Sequence, residues 1–266
     1  ILFKILGFYG FILAEFVCIL VFLVLFYHIF LSFFSKNLST LFAIFIYFIP
    51  LLLVETKLND FQYLNVFSSN FYNLRVPRPM LSNLYFFSFI LLMVKMNLNN
   101  FYNYKNFIYL GLILGLTASS VYYYFLTEIV FLLLFFLLKF KSSFLSQLFN
   151  NYRYYLTSIL VFFLTILPFI IILFFHEPEF TFRQGVIDLD YKKKFVLFSY
   201  ILEKYLNLKF LIVVFILSLL SFLVNFFNFN TKKLNNTFYL LFLSSLISPL
   251  LFTLFAPKTH VFYHFI

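Results

Sequence analysis

Arginine is scarce in this chain, four residues against fifteen lysines, yet two of the four stand three positions apart in Leu74-Arg75-Val76-Pro77-Arg78-Pro79. In a chain that otherwise uses lysine, this density marks positions where an ammonium will not serve. Guanidinium presents a planar fork that grips phosphate or carboxylate through two parallel hydrogen bonds. Proline on both sides of Arg78 fixes the backbone and disfavours helix there, leaving Ser82 or Asn83 to cap the apolar run that follows. The same segment, 55–79, opens with Glu55 and carries Asp60. A carboxylate near a membrane surface and close to arginine is the minimal equipment for general-base chemistry on a phosphorylated lipid. The bland alternative is a stiff turn whose arginines reach to headgroups beside solvated acids.

A second segment with chemical potential runs from His176 through Glu177, Glu179, Arg183, Asp188 and Asp190 to Lys192-Lys193-Lys194. Arg183 is a further candidate anion ligand. The spacing of His176, Glu177 and Glu179 matches no strong metal template. His260 and His264 stand four apart, which suits a helix but falls short of a ligand set. No metal and no cofactor is therefore expected. Asp188-Leu189-Asp190 carries no weight outside a nucleotide-binding fold. Beyond Lys194, Phe195, Phe198, Ile201, Leu202 and Tyr205 recur at helical spacing, which predicts an amphipathic helix over 195–205 lying along an interface. Glu15 and Glu128 sit inside apolar runs, where an ionisable group faces a cavity or a partner.

What must position these residues is a membrane bundle. Hydrophobic residues make up 64% of the 266 and charged ones 11%, far from the balance of a soluble domain. Apolar segments fall at 5–34, 38–54, 80–95, 107–138, 155–175, 209–227 and 236–256. The fourth would run about 48 Å as one helix, and Thr117-Ala118-Ser119-Ser120 offers a break. Charge decides in favour of the break. With two helices there, the loops 35–39, 95–106, 139–154 and 228–235 share one side, holding eight basic residues and no acid. The loops 55–79 and 176–208 share the other, holding seven of the nine acids. Short basic loops face the cytoplasm. The expectation is an all-α polytopic transmembrane helix bundle over 1–266, a single domain with about eight crossings and some short broken helices.

The net charge of +10 is spread between spans, so it reads as a topology signal touching anionic lipid and excludes a nucleic-acid surface. Forty-eight Phe and twenty Tyr against five Gly and no Trp point to an AT-rich genome. Tyr replaces Trp in the interfacial belt, and Gly111-x-x-x-Gly115 reads as close helix packing. The single Cys18 rules out a disulfide framework. The chain opens on Ile1 without Met and stops in an aromatic stretch at Ile266, which reads as a fragment of a longer protein.

The chain resembles polytopic bacterial membrane proteins grouped with the GT-C glycosyltransferases. The likeness rests on Leu74-Arg75-Val76-Pro77-Arg78-Pro79 before an aromatic span, and on Leu110-Gly111-Leu112-Ile113-Leu114-Gly115-Leu116. Broken spans and acids in outward loops add to it. The resemblance implies a bacterial inner-membrane protein that moves a sugar from a polyprenyl-phosphate carrier on the non-cytoplasmic side. Glu55 or Asp60 would deprotonate the acceptor, and Arg75, Arg78 or Arg183 would neutralise the departing lipid phosphate. In that family the usual catalytic acid lies in the first outward loop, which here falls upstream of Ile1. Two other readings stay open: a carrier or flippase for an anionic lipid or glycan, and a non-catalytic membrane subunit.

Overall fold

A computed structural model describes residues 7, 9–55, 80–98, 101–120, 122–140, 144–175, 187–188, 191–208, 211–212, 214–215, 218–219, 232–255 and 258–259. It is all-helical apart from one two-residue strand pairing. The elements are α1 (Tyr9–Leu31), α2 (Lys36–Glu55), α3 (Met80–Leu98), α4 (Tyr104–Ser120), α5 (Tyr122–Phe140), α6 (Phe144–Asn150), α7 (Tyr152–Phe175), β1 (Ile187–Asp188), α8 (Tyr191–Tyr205), α9 (Lys232–Phe255) and β2 (Lys258–Thr259). They fall into two compact units, Ile1–Tyr124 with Arg153–Thr165, and Phe125–Tyr152 with Ile166–Ile266.

Among the described residues three helices are long and apolar enough to cross a membrane: Tyr9–Leu31, Met80–Leu98 and Tyr152–Ile172. That is fewer than the eight crossings expected, and the expected span 209–227 is described only in pieces. Large apolar side chains stand bare on these helices, among them Phe16 at 57% exposure, Leu164 at 69% and Ile172 at 62%. Water does not tolerate apolar surface on this scale without a partner; hydrocarbon solvates it.

In the first unit α1 and α2 form an antiparallel hairpin, with Phe42 ringed by Phe30 at 5.8 Å and Phe34 at 4.9 Å. α3 runs parallel to α1. Cys18 packs with Met80 and Leu84 near the start of α3, and further along Phe26 meets Phe87 at 4.8 Å. α4 begins beside the end of α3, and its first turn joins a ring cluster with the start of α7. Tyr104 meets Tyr154 at 4.5 Å, Phe107 meets Tyr155 at 5.3 Å, and the Tyr102 and Tyr155 hydroxyls lie 3.4 Å apart.

From that shared end α4 and α7 run side by side in one direction. Gly111 faces Ser158, Val161 and Phe162, and Gly115 faces Phe162 and Thr165. A side chain at Gly111 would fall on the Ser158 carbonyl, and at Gly115 its Cβ would stand 2.6 Å from Thr165 Cβ. Only glycine permits this approach. The Gly-x-x-x-Gly expectation is met.

α4 is described to Ser120 and α5 from Tyr122; the junction between them, residue 121, where the expected break of the long apolar segment falls, lies outside the described residues. The Ser119 and Ser120 hydroxyls donate to the carbonyls of Leu116 and Thr117 at 2.9 and 3.1 Å, local bonds that compete with helix continuation.

The second unit carries a polar stripe on α9, where Thr237, Ser244 and Ser248 are 3%, 0% and 1% exposed. Ser248 and Thr127 hydroxyls lie 2.9 Å apart. α8 forms as predicted, starting four residues earlier than expected, and packs along α9. β1 pairs antiparallel with β2, setting Asp188 opposite Lys258. This pairing brings the end of the 176–190 segment and the chain just past α9 together.

Candidate functional site

The first turn of α3 is where polar groups collect in the first unit. Ser82 is 0% and Asn83 3% exposed. Because the helix already begins at Met80, both lie within its first turn instead of ahead of it as caps, which corrects the expectation. First-turn amides have no acceptor inside the helix and give the N-terminus partial positive charge. Asn83 Oδ1 accepts a hydrogen bond from the Tyr124 hydroxyl at 2.6 Å. The Tyr124 ring stacks on Phe86 at 4.9 Å. Ser82 Oγ has no hydrogen-bond partner among the described residues. One turn of helix thus holds a satisfied amide–phenol pair beside a buried hydroxyl with donor capacity in hand.

The helix register places Glu55 at the same end. Val17 lies thirteen residues down α1 from Phe30, and Glu55 lies thirteen up α2 from Phe42. In an antiparallel pair these equal steps bring Glu55 level with about Val17. Met80, which opens α3, packs on Cys18 one residue further along. The chain therefore leaves α2 and enters α3 at one depth of the unit, with half-buried Glu15 one turn away on α1. The segment 56–79 starts and ends there. Asp60, Arg75, Arg78 and Arg183 themselves lie outside the described residues, as do His176, Glu177, Glu179, His260 and His264. Among the described residues no cluster of metal-ligating side chains occurs.

The opposite end of the first unit is basic. Lys36, Lys95, Lys105 and Arg153 are all exposed, and all sit where α1 turns into α2, α3 turns into α4, or α7 begins. The ring cluster of Tyr102, Tyr104, Tyr154 and Tyr155 lies at this end.

Glu128 belongs to the second unit, where it is 0% exposed on α5, beside the Thr127–Ser248 hydroxyl pair in the chain. The Tyr124–Asn83 pair spans forty-one residues, and nothing in the local pattern of either residue signals the other. In α8, burial raises the Tyr205 phenol to about 12, and its hydroxyl donates to the Leu246 carbonyl at 3.0 Å.

No protein-family model matches this chain, and neither a curated protein nor a solved structure does.

Proposed function

We propose that this is a membrane glycosyltransferase-like protein that crosses the bilayer about eight times and takes a sugar from a polyprenyl-phosphate carrier at the end of the bundle bearing Glu55. The observation that supports the reading is the common depth of Glu55 on α2 and Met80 on α3, the described residues between which the chain carries Asp60, Arg75 and Arg78. Glu55 or Asp60 takes a proton from the acceptor hydroxyl as it attacks the sugar carbon. Arg75, Arg78 or Arg183 faces the leaving phosphate, where negative charge grows in the transition state. No bound nucleotide and no metal is required.

The crossing count rests on the sorting of charge along the chain: with the long apolar segment read as two spans, eight basic residues share one side and seven acids the other. Lys36, Lys95, Lys105 and Arg153 then face the cytoplasm.

The test is sugar transfer from a polyprenyl-phosphate donor in membranes containing the full chain. Arg78→Lys keeps the charge but loses the bidentate fork, and the rate should fall roughly tenfold to a hundredfold for the loss of one charge-assisted contact. Glu55→Gln should fall at least as far if Glu55 is the base. Wild-type rates for both, at normal membrane levels, would sink the reading. The carrier alternative is favoured by one observation, the burial of Glu128, next in the chain to Thr127, whose hydroxyl meets Ser248 of the α9 stripe. In a carrier, Glu128→Gln would stop movement of an anionic lipid or glycan across the membrane, while no sugar transfer would be found.

A further inference from the structure

α8 was expected to lay a single apolar stripe on the membrane. The structure splits that stripe into a packed side and an exposed flank. Leu197, Phe198, Ile201 and Tyr205 form the packed side, with Ile201 1% exposed and Tyr205 bonded to Leu246 of α9. Tyr191, Phe195 and Leu202, spaced by four and seven, share a separate flank. They stand 88%, 69% and 36% exposed. Beyond that flank Lys192, Ser199 and Glu203, with Val196 among them, turn a third, mostly polar side outward. A helix already held by protein on one side gains nothing in water from a second apolar flank.

Two cations border the flank. Lys192 and Lys194 stand on either side of it around the helix, and Lys194 Nζ lies 5.7 Å from the ring centre of the flank's own Tyr191. Tyrosine with lysine beside it suits the headgroup layer, where rings and ammonium groups settle together. A second such pair, Lys204 Nζ 5.1 Å from the Tyr200 ring centre, lies on the opposite face of the helix.

We infer that the Tyr191–Phe195–Leu202 flank of α8 docks into the headgroup–acyl boundary of an anionic leaflet, so that α8 is a wedge held by α9 on one side and by acidic lipid on the other. The inference rests on the reading of the chain as a membrane protein, but not on the sugar-transfer chemistry.

The test uses the full chain with Cys18→Ala, reconstituted in vesicles of phosphatidylcholine alone or mixed with phosphatidylglycerol. Spin labels are placed at Phe195→Cys and Leu202→Cys on the flank, and at Ser199→Cys and Glu203→Cys on the polar side. In the mixed vesicles the flank labels should be accessible to oxygen and shielded from a water-soluble nickel chelate, with the reverse for the polar side. Removing Lys192 and Lys194 (both to Gln), or omitting phosphatidylglycerol, should shift the flank toward water. Each lysine facing an anionic leaflet is worth about fivefold in the docked-to-undocked ratio. Flank labels open to nickel, or shielded from both reagents as under a protein partner, would overturn the inference. So would equal accessibility in the two lipid mixtures. Failure of the protein to stay with vesicles after an alkaline wash would instead reject the membrane reading itself.

Discussion

α3 and α7 are both long, apolar and able to span a bilayer, yet they meet opposite surroundings. α3 buries ten of its nineteen residues, with Phe89, Val94 and Met96 at 0% exposure. α7 leaves Leu164 at 69% and Phe174 at 82%. Hydropathy registers what a helix can enter, and lipid and protein interior are equally acceptable to it. The placement of polar residues separates the two. α3 carries Ser82 and Asn83 in a buried first turn, where Tyr124 supplies a partner for Asn83. On α7, Thr157 and Thr165 donate back to Arg153 and Val161 carbonyls at 2.8 and 2.7 Å. Ser158, 8% exposed, and Thr165 face the glycines of α4. One helix is wrapped by protein and the other is held along a single line.

The sharpest way to break this contrast is Phe89→Ala. The ring is fully buried, and neighbouring helices cannot collapse into the space it leaves. The loss should be about 3–5 kcal/mol, read from reversible unfolding of the protein in detergent–lipid micelles by far-ultraviolet circular dichroism. A loss below about 1 kcal/mol would mean that α3 is not wrapped as described.

A smaller effect is expected where α7 is held. At Gly115 an added methyl must displace Thr165, whose Cβ would be 2.6 Å away, and it also approaches the Phe162 carbonyl at 3.2 Å. Overpacking of this kind costs about 1–3 kcal/mol, reduced by the gain of up to about 1 kcal/mol that alanine brings to a helix. In the same unfolding assay Gly115→Ala should therefore destabilise modestly. A stabilised variant would show that α4 and α7 do not approach this closely.

The sequence announced some of this arrangement and concealed the rest, for physical reasons. Gly111 and Gly115 were legible because close helix approach needs small residues at a four-residue repeat, and that signal is local. The sorting of lysines between loops argues for a break near Ser119, but residue 121, the junction itself, lies outside the described residues. The all-helical character followed from the need to satisfy backbone polar groups inside hydrocarbon. The partnership of Asn83 with Tyr124 was not legible, since it joins residues forty-one apart through tertiary packing alone. The split of α8 was hidden for a related reason. Periodicity finds an apolar stripe but not what covers it, and Phe195 and Phe198 belong to one stripe in the sequence, whereas in the structure Phe198 is half-buried and Phe195 exposed. Glu55 was singled out for its charge, while its shared depth with Met80 came only from the ring register of α1 with α2 and the packing of Cys18.

The smallest expected effect is also the most telling for the contrast between α3 and α7. Leu164 sits in the middle of α7, as apolar as any core residue, and is 69% exposed. If it faces acyl chains, shortening it to alanine removes contacts that lipid re-forms at once, and no cavity remains. The transfer cost that makes a buried leucine valuable in water does not arise, because the surroundings of the side chain are apolar whether the bundle is assembled or not. Leu164→Ala should change unfolding stability by less than about 0.5 kcal/mol, the range of ordinary surface substitutions. Leu164→Lys would separate lipid from water as the neighbour. In a lipid-facing position near the middle of a span a lysine costs about 2.5–3.5 kcal/mol on insertion, read as a reduced fraction of protein integrated into membranes. A neutral lysine at 164 would place that face of α7 in water. A large loss from alanine would instead reveal a protein partner covering it, and in either case the division between a wrapped α3 and a lipid-facing α7 would fall.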